Sequence, residues 1–225
     1  MNSHSLARLA TAVVTIVVGF STLALAGPPL VCHPIAIGQA KTLPWVDLNY
    51  QKGSGSYNLK NLPQDTLEIL DSNPSVLVRM ETLRRATIYA RQDPDVAREL
   101  LLRLKMRTTN SNSRESDALA WFDLGYLAET IKQSTRNGEP SAAKGLDGYV
   151  MVNKAISLRG SDPEMEFAAA LIAITGSESD RKLHVEKAIA GAKSDPLLAQ
   201  NLAAFFNHQT IAEMLTQSAT EQASK

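Results

Sequence analysis

The sequence predicts an all-α protein of stacked antiparallel helical hairpins, an α-solenoid, preceded by an irregular N-terminal arm. Three observations carry this prediction. From residue 62 onward, apolar residues recur at spacings of three and four. Four Asx-Pro pairs punctuate the same region: Asn73-Pro74, Asp93-Pro94, Asp162-Pro163 and Asp195-Pro196. Pro163 and Pro196 stand 33 residues apart, and Pro94 and Pro163 stand 69 apart, close to twice that spacing. Two-helix repeats have periods in the low thirties. An Asx side chain accepts from the free amides of a first helical turn, and Pro at the first position loses no hydrogen bond there.

The first 26 residues read as a secretory signal peptide. A polar start bearing Arg8 is followed by an apolar run over 9–23 and by Ala24-Leu25-Ala26, with cleavage after Ala26. The run is short for a membrane span of ~20 residues, so retention as an anchor is the weaker alternative. A lipid anchor on Cys32 needs a small preceding residue, and Val31 stands there. The expected location is therefore exported, periplasmic or secreted in a bacterial envelope, with no stable membrane span after processing.

Residues 27–61 form the arm. Pro28, Pro29, Pro34 and Pro44, followed by Gly53-Ser54-Gly55-Ser56, predict irregular or extended chain. Leu30, Val31, Ile35, Ile37, Leu43 and Trp45 are too apolar for a free tail. The arm is therefore expected to lie against the helical body or, in a second reading, against a neighbouring copy, giving an oligomer.

Residues 62–222 form the helical-repeat region. Helices are expected over 64–71, 74–92, 94–106, 116–133, 146–159, 163–175, 179–193, 196–207 and 209–219, with polar loops at 108–114 and 134–144. Leu77, Met80, Leu83, Ala86, Thr87 and Ala90 mark one side of the second helix. Gly160 and Gly176 close two others. The expected hairpins are 74–107, 116–159, 163–193 and 196–222.

Within the second hairpin, Trp121-x-x-Leu124-Gly125 resembles the first helix of a tetratricopeptide repeat. Ala155-Ile156-x-Leu158, followed by Asp162-Pro163, resembles the end of its second helix. The resemblance is partial, because the hairpin carries roughly ten extra residues for a two-helix repeat of that class. It implies a helical-repeat scaffold that holds a protein or peptide. The arm, through its Gly-Pro-Pro-Leu-Val-Cys-His-Pro run (27–34) and Lys41-Thr42-Leu43-Pro44-Trp45, is similar to a group of exported bacterial proteins of unassigned function.

Charge and motifs narrow the chemistry. Removing Arg8 from 23 basic and 23 acidic residues leaves the mature chain one charge negative, which gives no basic face for nucleic acid. Cys32 is the only cysteine, so no intramolecular disulfide forms. Cys32 and His33 are the most reactive-looking pair, a candidate thiol or metal site. On an extended chain, however, they point opposite ways, and two ligands do not close a zinc site.

His184 reads as an ordinary surface or packed histidine on a helix. Glu164 and Glu166 read as first-turn carboxylates that favour the helix dipole. Arg84, Arg91 and Arg98 recur every seven residues. Arg84, Arg91 and Tyr126 are the candidate contributors to an exposed binding surface, with Glu81 and Arg85 pairing at i,i+4. No catalytic motif is present and no cofactor is implied. The expected function is an exported, non-catalytic binding scaffold for a peptide or partner protein. The alternative is a thiol- or metal-dependent protein using Cys32 and His33.

Overall fold

The computed structural model describes residues 29–46, 53–110, 113–135, 139–173 and 176–206. Among them the chain is all-α, with one isolated antiparallel bridge between Trp45 and Gly53. The signal peptide expected over 1–26 and the helix expected over 209–219 lie outside the described residues.

The arm opens with a single helical turn, α1 (Pro29–Cys32), where extended chain was expected. The turn lets the consecutive Leu30 and Val31 both enter the core. An extended chain would send them to opposite faces. After a 3-10 turn (Leu59–Asn61) come α2 (Leu62–Ser72), α3 (Val76–Ala90), α4 (Pro94–Arg107) and α5 (Arg114–Ser134). Then follow α6 (Gly148–Arg159), α7 (Pro163–Ile172), α8 (Glu178–Ala192) and α9 (Pro196–Phe205).

Three Asx-Pro pairs start helices. Asp93 accepts from the Asp95 amide at 2.9 Å, Asp162 from Glu164 and Met165, and Asp195 from Leu197 and Leu198. Asn73-Pro74 differs. Asn73 closes α2 in an extended conformation, as a residue before proline favours, and its Oδ1 accepts from the Ser75 amide at 3.0 Å. Ser75, not Asn73, caps α3. Helix α5 begins at Arg114, two residues before the expected start, because Ser113 and Ser116 form a reciprocal capping box.

Helix α5 packs most extensively on α6, and α7 on α8. Glycines let α5 and α6 meet closely: a Cβ on Gly125 would stand 2.7 Å from the Gly148 carbonyl oxygen. The expected pairing of α3 with α4 is weak. Helix α3 lies mainly against α2 and α5, and α4 lies against α5. Helix α3 is the centre of the molecule, with every residue from Val76 to Ala90 buried except Arg85.

One apolar core runs from Leu30, Val31, Ile35 and Leu43 of the arm through α3 and α5 to Leu198 and Leu202 of α9. Burying those four arm side chains contributes on the order of 6–12 kcal/mol, an upper figure relative to a fully exposed arm.

Candidate functional site

Because α3 is buried on nearly all sides, all its charged residues except Arg85 are cut off from water. Arg79, Glu81 and Arg84 are all at most 3% exposed, and a buried charge requires a partner. Arg79 finds Asp123 of α5 at 2.6 Å and also donates to the Leu70 carbonyl. Burial pushes the Asp123 carboxyl above its usual range, against the pull of Arg79.

Glu81 is the more informative group. Its Oε2 accepts from Arg84 Nε at 2.7 Å and from the Ile35 amide of the arm at 2.9 Å. Its Oε1 accepts from Arg84 Nη2 at 2.8 Å and Arg85 Nε at 2.7 Å. The two arginines then reach onward into the arm. Arg84 donates to the Val31 carbonyl at 3.1 Å and Arg85 to the Leu43 carbonyl at 2.8 Å. Both guanidiniums also lie over the Trp45 ring, 5.2 and 5.4 Å from its centroid.

Other helices complete the grip. Asn201 of α9 accepts from the Ala36 amide at 2.8 Å and donates to the Ala36 carbonyl at 2.9 Å. Gln133 of α5 accepts from the Leu30 amide at 3.0 Å. The Tyr89 hydroxyl donates to the Pro44 carbonyl at 2.5 Å and accepts from the Ser54 amide at 2.8 Å. Thr42 and Thr82 meet hydroxyl to hydroxyl at 2.9 Å. Seven main-chain groups of residues 30–44 are thus taken by side chains of α3, α5 and α9. The arm presents backbone and apolar side chains, and the helices present polar side chains.

The sequence-derived surface residues do not form one surface. Arg84 is 1% exposed and Tyr126 is 0% exposed, which corrects their assignment to an exposed face. Arg84 turns inward because Glu81 and the arm enclose it. Tyr126 stacks on Phe122, 5.7 Å away, inside the core. Arg91 is exposed just past the end of α3, and Arg98 pairs with Asp95 on α4. The seven-residue arginine spacing therefore makes no stripe.

Cys32 is half-buried at the end of α1, and His33 packs edge-on against Phe205, 5.4 Å between centroids. Among the described residues, no group of three or more His, Cys, Asp or Glu side chains is placed to hold a metal ion.

Of the two settings expected for His184, surface or packed, the structure takes the second. His184 is 5% exposed and sits between two helices rather than on a surface. Its Nδ1 meets Glu166 Oε2 at 2.5 Å, and its Nε2 meets the Tyr149 hydroxyl at 2.9 Å. The Lys187 ammonium stands 3.1 Å from Glu166. Glu166, fully buried, thus joins α6, α7 and α8 through His184 and does not serve its own helix terminus.

Glu164 caps a helix, but not its own. Its carboxylate accepts from the Val76 and Leu77 amides at the start of α3, at 2.7 and 3.2 Å. Burial raises its pKa, while those amides and their dipole lower it. A cleft of about 440 Å³ lies beside it, lined in part by Arg159, Asp162 and Asp195. Asp162 and Asp195 are committed to their helix caps, and Arg159 to Asp162 and Glu115. The side chains that line the cleft are occupied in holding helix ends.

Tyr89, Gln133 and Asn201 were missed from the sequence, and Glu81 was expected only as the i,i+4 partner of Arg85, a pair that forms at 2.7 Å. The sequence signal for Glu81 is its i,i+3 and i,i+4 spacing to Arg84 and Arg85, which lets one carboxylate pair with both. Nothing in the sequence points to Asn201, which meets its partner across 165 residues. No protein family, curated protein or solved structure matches this chain.

Proposed function

We propose that the protein is an exported, non-catalytic binding scaffold. Its paired helices stack as an α-solenoid, and the face formed by α3, α5 and α9 holds an extended segment of a partner protein. One observation carries this reading. The face already grips seven main-chain groups of an irregular segment, the chain's own arm, through the side chains of its helices. Main-chain recognition by side chains suits a ligand whose sequence matters only at a few apolar positions. The signal-like N-terminus supports export.

A reversible lock on the arm tests the proposal. The Thr42 and Thr82 hydroxyls are 2.9 Å apart, so Thr42→Cys and Thr82→Cys, made with Cys32→Ser, place two thiols within bonding reach. Reduced and oxidised forms of the mature chain are used as bait in envelope extract. The reduced form is expected to retain a partner that the oxidised form loses at least ten-fold. Equal recovery by both forms, or recovery by neither, overturns the proposal.

A further inference from the structure

We propose that the arm is an exchangeable ligand and that the same face accepts the arm of a second copy. The inference rests on the preceding reading of the face as a peptide site, and three observations carry it further.

The first is the division of labour in recognition. Besides packing apolar side chains into the core, the arm is held through its backbone. Here Leu30, Val31, Ile35, Ala36, Leu43 and Pro44 offer backbone groups that only side chains of the helices take up. Removing the arm would leave the helical hydrogen bonds of α3, α5 and α9 intact.

The second is connectivity. The arm precedes all the larger helices, so a single covalent connection joins it to them. That connection passes through Ser54-Gly55-Ser56, of which Gly55 and Ser56 are exposed. Among the described residues, the arm can therefore leave without threading any other part of the chain.

The third is complementarity. The segment known to fit is residues 29–46, and each copy of the protein carries one. Four apolar anchors define it: Leu30, Val31, Ile35 and Leu43, all at most 3% exposed. A tethered arm competes at an effective concentration of roughly millimolar. Intact chains at micromolar concentration therefore stay closed on themselves. Cutting the tether, or concentrating the protein, lets arms pass between copies, and an arm-exchanged pair is a low-cost route to a dimer.

The experiment uses the mature chain with a protease site inserted between Gly55 and Ser56. After complete cleavage, a fluorescein-labelled synthetic peptide of residues 29–46 is added in excess. The label is expected to migrate with the helical body on size exclusion. The uncut chain should take up at least ten-fold less at the same peptide concentration. A peptide carrying Ile35→Asp should not enter.

A body that keeps its helical circular dichroism and takes up no label overturns the proposal. So does equal uptake of the Ile35→Asp peptide. If the cut body loses helicity when the arm leaves, it is refolded with labelled peptide in excess. Complexes containing only the original fragment then overturn the proposal. The outcomes separate the two ideas. Redox-dependent partner capture without arm exchange leaves the binding scaffold standing and removes the exchange. Arm exchange without any captured partner does the reverse.

Discussion

Asn201 holds Ala36 by both of its main-chain groups, accepting from the amide at 2.8 Å and donating to the carbonyl at 2.9 Å. The same side-chain nitrogen donates to the Leu197 carbonyl at 2.9 Å, which fixes its rotamer on α9. Replacing Asn201 with Ala strands two backbone groups. The expected loss is about 1–3 kcal/mol per group left buried without a partner, less if water reaches them. Hydrogen exchange at the Ala36 amide is expected to accelerate before exchange in α3 or α5 does. Unchanged protection at Ala36 would contradict this account of the arm.

Glu81 is the hub that joins two arginines to the Ile35 amide. Truncation to Ala leaves the Arg84 guanidinium buried without its carboxylate. Breaking a buried pair from one side costs about 3–5 kcal/mol. Chemical unfolding of Glu81→Ala should show that loss. The companion change Arg98→Ala removes an ion pair exposed on α4, and such pairs contribute about 0–1 kcal/mol. Similar losses in the two variants would show that the Glu81 cluster is not the clasp.

Gly53 lies against the face of Tyr89, where an added Cβ would come within 2.1 Å of the ring. Tyr89 cannot retreat freely, because its hydroxyl joins Pro44 to Ser54. Gly53→Ala is therefore expected to destabilise the protein by about 1–3 kcal/mol, the usual range for overpacking. It should also change the fluorescence of Trp45, which meets Tyr89 edge-on at 5.9 Å. A neutral effect on both readouts would count against the described contact.

Glu164 predicts a pH dependence whose sign can be worked out. Burial raises its folded pKa above the ordinary value, with the α3 amides opposing. A raised carboxyl stabilises the fold fully below its unfolded pKa of about 4.3, and loses that contribution as pH rises through the folded value. Glu164→Gln keeps an oxygen for the Val76 and Leu77 amides and cannot ionise. Relative to the parent, the variant should gain stability as pH rises upward from about 4.3. Asp123, raised by its own burial, contributes the same slope to both proteins and cancels. Urea unfolding at several pH values between 4 and 7 checks this, and parallel profiles would refute it.

Much of the secondary structure was legible because its causes are local. The Asp93, Asp162 and Asp195 caps depend on residues two and three positions away, and each appears where the sequence placed it. The same local logic failed at Asn73-Pro74, where the motif closes α2 and Ser75 takes over the cap. The site was far less legible. Arg84 reads as a surface charge from its neighbours along the chain. It is buried because residues 31–45 cover it, roughly 50 positions earlier. Glu164 and Glu166 look alike in sequence, yet one caps a distant helix and the other is shut in with His184.

By itself, then, the sequence determined that the described residues from 62 onward are all-α, where most of their helices begin and end, and that the arm is too apolar to stay in water. Periodicity and capping are set within a few residues, so the chain carries them openly. Tertiary structure alone decided which helix became the centre, which charges were buried with it, and that α3, α5 and α9 would close around the arm. Those outcomes depend on side chains that meet across 40 to 165 residues. Their energies come from desolvation and pairing, which exist only once the distant surfaces are in contact.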